Sequence, residues 1–130
     1  MNDNAPTPSV DNDDNVSDEI INDAQFEDMR ELLEEDFYDL VQTYLLDSEQ
    51  RLVKLRVAAQ NNDNSNGFEI AHALKGASLN LGATQLAALS HQLERSCRAH
   101  RLSEQNTLLN DITVALDHVK IDINQRLGTP

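Results

Sequence analysis

Residues 66–83 read NGFEIAHALKGASLNLGA, and this stretch decides the fold. On a helical wheel at about 100° per residue, Ile70, Leu74, Ala77, Ser78 and Leu81 gather on one side. Their spacing is i, i+4, i+7, i+8, i+11, an apolar stripe with small residues at 77 and 78. The predicted helix spans 66–81 and stops at Gly82, a residue suited to the left-handed cap. His72 lies about 200° from Leu74 on the same wheel, so it points to solvent together with residues 68, 69, 75, 76 and 79.

Amphipathic segments flank this helix on both sides. Downstream, a helix is predicted over 84–100, capped by Thr84, with Leu86, Leu89, Leu93 and Cys97 facing inward. Another is predicted over 104–127 from a Ser103 cap, with Leu108, Ile112, Leu116, Val119, Ile123 and Leu127 inward. Upstream, NNDNSNG (61–67) reads as a loop by composition. Before it, Phe37, Leu40, Val41, Tyr44, Leu45, Leu52, Leu55 and Ala59 keep helical spacing over 35–60. A short helix over 23–33 opens at Asn22, with Gln25 as the capping-box partner and Ile21, Met29, Leu32 and Leu33 as apolar contacts. A helix with one apolar stripe is not stable alone. The expectation is therefore an all-α fold: an antiparallel up-down-up-down four-helix bundle with a short extra N-terminal helix covering one end.

The 130 residues carry a net charge of −13, unevenly spread. Residues 1–47 hold fifteen Asp and Glu against one Arg, whereas 48–130 hold eight acids against nine Lys and Arg. Residues 1–19 are mostly Asn, Asp, Pro and Ser and are expected to form a disordered acidic tail, leaving 20–130 as the one folded domain. So acidic a chain repels nucleic acid. With one cysteine, Cys97, no intrachain disulfide forms. There is no apolar run of membrane-spanning length, and the N-terminus lacks the basic start and apolar core of a signal peptide. The expectation is a cytoplasmic protein without a membrane partner. His91, His100 and His118 show no metal-type spacing, so no metal site is expected.

The outward face of the central helix carries the chemistry. A histidine ordinarily titrates at about 6.5 and is mostly neutral at cytoplasmic pH, where it acts as a nucleophile. Lys75, at i+3, can offset negative charge arriving at His72. Gly76, at i+4, costs roughly 1 kcal/mol relative to alanine in a helix interior, and clearance for an incoming domain beside His72 is a reason for it. Phe68 and Leu79 share this side as an apolar contact patch. Ser78 and Gly82 read as core packing and helix stop.

The stretch from Ala71 to Ala83 resembles the signature of histidine-containing phosphotransfer (HPt) domains: a histidine followed by x-Leu-Lys-Gly-Ser/Ala-Ser, then an apolar residue and Gly. The helix pattern from about 23 to 127 also matches the family's bundle. The resemblance implies a phosphorelay intermediate. His72 would accept a phosphoryl group from an aspartyl phosphate on the receiver domain of a hybrid sensor histidine kinase and pass it to an aspartate of a response regulator. It implies a phosphocarrier with no ATP site and no turnover of its own, needing no cofactor, with Mg²⁺ held by the receiver; the exposed His72 and the self-contained bundle favour a monomer. The family places a polar residue, often Gln, twenty-two positions after the histidine; here it is Glu94. That carboxylate either accepts the imidazole N–H and turns the other nitrogen outward, or is a solvated helix residue. Arg95, Arg98 and Arg101 would join Lys75 in a basic area facing the receiver's acidic pocket.

Three other readings compete. A docking module that binds receivers without carrying phosphate is disfavoured by the intact His72. A piece of a chemotaxis-type histidine kinase would continue into dimerisation and ATP-binding domains. A helical hydrolase using His72 with a carboxylate lacks a nucleophile–base arrangement.

Overall fold

A helix begins where something satisfies its first free N–H groups and ends where its last carbonyls find donors. The computed structural model describes residues 19–128, with helices α1 (Asp23–Leu33), α2 (Phe37–Gln60), α3 (Asn64–Leu81), α4 (Thr84–Arg98) and α5 (Asn106–Leu127). Short 3-10 turns cover Glu34–Asp36 and Leu102–Glu104. The Asn22 side chain caps α1 by accepting from Gln25 N at 3.0 Å. The return bond of a capping box is not made. Asn22 N–H donates instead to Gly82 O at 2.8 Å, and the Gln25 side-chain amide donates to Leu79 O. Both contacts fasten the start of α1 to the end of α3.

Gly82 closes α3 in the left-handed conformation, at φ 86°. Gly82 N and Ala83 N donate to Leu79 O and Ser78 O at 3.2 and 2.9 Å, the paired bonds of a Schellman cap. A Cβ at Gly82 would also come within 3.2 Å of Asn22 O, so glycine serves both the backbone turn and the docking of α1.

Four helix starts differ from the sequence expectation, the first being α2, which begins at Phe37 rather than 35 because the 3-10 turn precedes it. The loop expected over 61–67 is shorter, because Asp63 caps α3 by accepting from Asn66 N at 3.2 Å. The Asn64 side chain then accepts from Leu102 N at 3.0 Å, a tertiary bond that composition does not reveal. Thr84 is the first helical residue of α4 rather than its cap, and its hydroxyl donates to Glu19 O at 3.0 Å. Glu19 O also accepts from Gln85 N. Glu19 is therefore tied to α4 rather than part of a free tail; the rest of the expected tail lies outside the described residues. Ser103 sits in the 3-10 turn, and α5 starts after Gln105 without a side-chain cap.

Helices α2, α3, α4 and α5 pack in a closed ring, each against its neighbours in the chain and α5 back against α2, while α1 lies on α2 and α3. The fold is the expected antiparallel four-helix bundle with an extra N-terminal helix. Leu74, Leu86, Leu93, Ile112, Val119 and Ile123 are fully buried at its centre. Ser78 belongs to this core, its hydroxyl 2.8 Å from that of Tyr44. The α3 stripe is turned slightly from the wheel: Ala71 is fully buried and Ile70 half-buried. Leu32 and Leu40, expected inward, are exposed. Phe26 instead anchors α1, edge-on to Phe37 at 5.1 Å and flanked by the guanidinium groups of Arg30 and Arg126 at 5.6 and 5.3 Å. Arg126 is held by Asp23 and Asp122 at 2.6 and 2.9 Å. Among the described residues no helix is long and apolar enough to cross a membrane.

Candidate functional site

Packing α3 beside α4 sets residues 68, 72 and 75 against residues 91, 94 and 98, the latter three spaced i, i+3, i+7 on one face of α4. His72 stands on the outer side of α3 with 64% of its side chain exposed. Its Nδ1 lies 2.6 Å from Glu94 Oε2. The ring nitrogen left outside this bond is Nε2.

Glu94 is buried, with only 4% of its surface exposed. Of the two readings open for it in the sequence, the solvated one is thereby removed. A buried carboxylate needs partners. The Lys75 ammonium approaches Oε1 to 2.6 Å, and His91 Nδ1 lies 3.4 Å from the same oxygen and 3.5 Å from Lys75 Nζ. Burial pushes the Glu94 carboxyl up, but the bonds from Lys75 and His72, the Lys75 charge and His91 outweigh it, leaving the group below the ordinary carboxylate range. Glu94 is thus an anion at neutral pH. As a carboxylate it can only accept, so Nδ1 is the donor, and in that tautomer the lone pair of an uncharged ring lies on Nε2.

Lys75 is placed differently from the sequence expectation. Its side chain is only 23% exposed and its ammonium is engaged by Glu94, so it supports the carboxylate beneath His72 rather than standing free beside it. His91, which sequence reading considered only as a metal ligand, belongs to this cluster. Its signal was position: three residues before Glu94, on the face that meets α3. Gly76 is exposed, and a Cβ built on it would meet nothing within 4 Å. No intramolecular packing contact accounts for the missing side chain.

The apolar patch divides in two. Phe68 is half-buried and stacks on the His72 ring, with centroids 5.9 Å apart and planes 13° from parallel. Leu79 lies further along the same face, 48% exposed. The three arginines separate as well. The Arg98 guanidinium lies over the Phe68 ring at 4.9 Å. Arg95 lines a groove between α4 and α5 together with Arg101 and Gln105, and Arg101 pairs with Glu104 at 3.1 Å. One arginine, not three, therefore joins the His72 face. The reason is helical phase: Arg95 is rotated from Glu94 by about 100° toward α5.

A family model described as the Hpt domain matches residues 39–123. Histidine-containing phosphotransfer protein B from Pseudomonas aeruginosa PAO1, a solved structure, is similar at a TM-score of 0.80 and 32% identity, over 85% of this chain and 96% of that one. No curated protein sequence matches. With more than half its length covered by the family model, the chain belongs to the Hpt domain family, and its role is histidine phosphotransfer in two-component signalling.

Proposed function

We propose that His72 is the phosphoryl-carrying residue of a phosphorelay. It takes the group from an aspartyl phosphate on the receiver domain of a hybrid sensor kinase and delivers it to an aspartate of a response regulator. The observation that carries this reading is the 2.6 Å contact between Nδ1 of an exposed histidine and a buried carboxylate. With Nδ1–H donated to Glu94, Nε2 attacks phosphorus. The N–P bond forms as the P–O bond to the donor carboxylate breaks, and the electron pair leaves on that carboxylate. The ring, still protonated at Nδ1, becomes cationic, and the adjacent Glu94 charge stabilises it, as carboxylates do for catalytic histidines.

The supporting residues divide by position. Glu94 orients the ring, and Lys75 and His91 hold Glu94. Gly76 leaves room for the receiver, and Phe68, Leu79 and Arg98 form the surface the receiver meets. The Mg²⁺ that assists the transfer belongs to the receiver's pocket. The chain runs no turnover of its own: each phosphoryl group gained is one handed on.

The test is transfer from a phosphorylated receiver domain to the wild-type chain and to His72→Gln. The expected result is acid-labile, base-stable label on wild type and none on the variant, whose melting temperature stays within a degree or two because the position is exposed. Labelling of the variant would overturn the assignment of His72. Receiver binding by an unlabelled wild type would favour the docking-module reading.

A further inference from the structure

One hydrogen bond does not fix an imidazole. With Nδ1 held by Glu94 Oε2, the ring of His72 still swings about that line, and Nε2 swings with it. Phe68, one turn earlier on α3, lies nearly parallel to the ring at offset-stacking distance. Arg98, reaching across from α4, lies over Phe68 at 4.9 Å, within the range of a cation–π contact. Three side chains from two helices thus form a stack with the nucleophile at its end.

From this stack, and resting on the assignment of His72 as phosphoryl carrier, we infer that Phe68 is a positioning residue for the transfer. It sets the plane of the His72 ring, and Arg98 holds it in place. Its second effect is electrostatic. Attack by Nε2 turns the neutral ring into a cation, because Nδ1 keeps its proton while the N–P bond forms. The negative face of a phenyl ring attracts a cation more than a neutral ring. Phe68 therefore favours the phosphorylated state over the free one, rather than binding both equally. A docking contact would be indifferent to that change.

The experiment compares wild type, Phe68→Leu and Phe68→Tyr. Leucine keeps apolar area for docking and loses the aromatic face; tyrosine keeps the face. Two readouts are taken. The first is the NMR chemical shift of the His72 ring protons in the unphosphorylated chain, which requires no partner. The Leu variant is expected to lose the ring-current shift and the Tyr variant to keep it. The second is phosphoryl transfer from a receiver, measured as kcat, KM and the equilibrium distribution of label. The Leu variant should lower kcat and shift label back toward the receiver by roughly two- to fivefold, the size of an exposed cation–π contact, with any rise in KM smaller than the fall in kcat and Tyr restoring both. A rise in KM alone in the Leu variant would reduce Phe68 to a docking contact and overturn the inference. So would His72 proton shifts identical in all three chains. Failure of wild type to accept any label would instead remove the assignment of His72, and this inference with it; normal labelling with no difference between Leu and wild type removes this inference alone.

Discussion

Replacing Glu94 by Gln removes one charge and almost no volume. The carboxylate makes two contacts at 2.6 Å, one with His72 Nδ1 and one with the Lys75 ammonium. Glutamine keeps a carbonyl for one of them. If that oxygen stays on His72, the amide N–H₂ faces a cation and the Lys75 contact is lost. A hydrogen bond to a charged group contributes about 1.5–3 kcal/mol, and breaking a fully buried pair costs about 3–5. Lys75 retains 23% exposure, so its ammonium can turn to water, and the lower figure applies. The expected destabilisation is about 2 kcal/mol, or roughly 10 °C in melting temperature. It should also depend on pH. Partners hold Glu94 below the ordinary range in the folded chain, so its stabilisation is complete above the unfolded glutamate value of about 4.3 and fades as pH falls through the lower folded value. Urea unfolding of both chains at pH 7 and along a series below pH 5 should show the two curves converging on the acid side. Transfer should slow about tenfold, the difference of some 1–1.5 kcal/mol between a charge-assisted and a neutral hydrogen bond to the cationic ring. Equal stability and equal transfer rate at pH 7 would refute the account of Glu94 as a buried anion supporting the histidine.

Gly76→Gln should raise stability by up to about 1 kcal/mol, because a Cβ there meets nothing, yet slow transfer at least severalfold by crowding the receiver's approach to Nε2. Chemical denaturation and a transfer time course on the same preparation separate the two effects, and an unchanged rate would remove the clearance argument. Phe26→Ala should cost about 3–5 kcal/mol, since the ring is fully buried between α1 and the bundle; a loss below 1 kcal/mol in urea titration would mean that α1 is not anchored there.

The bundle was legible because burial repeats along four stripes, and no single residue decides it. Leu86, Leu89, Leu93 and Cys97 all face inward as their spacing predicts, as do Leu108, Ile112, Leu116, Val119 and Ile123. In short α1 the stripe has few members. There one aromatic outweighs it: Phe26 takes the core, and Leu32, in phase on paper, stays 77% exposed. Helix starts were less legible because capping depends on tertiary bonds. Thr84 spends its hydroxyl on Glu19, and Asn64 spends its side chain on Leu102. Within the site, the exposure of His72 could be read from a wheel of one helix. The burial of Glu94, the support of His91 and the diverging directions of Arg95 and Arg98 belong to the meeting of two helices, and sequence spacing on either helix does not contain that meeting.

The site separates two demands that conflict when placed on one residue. A phosphoryl carrier must be reached by large partners, which requires exposure, and its ring must be held in one tautomer, which requires fixed charge. Exposed charges hold little, because water and salt screen them. Here the exposed member is the imidazole, and the fixing charge is carried by Glu94, 4% exposed on the neighbouring helix. Burying an anion is costly unless its oxygens are satisfied, which gives Lys75 and His91 their place beneath the surface. It also explains why Lys75 is spent inside while Arg98 remains on the exposed face. The acidic character of the chain does not oppose this arrangement, because residues 1–47 alone carry a net charge of −14, and the helices that build the site come from the nearly neutral remainder.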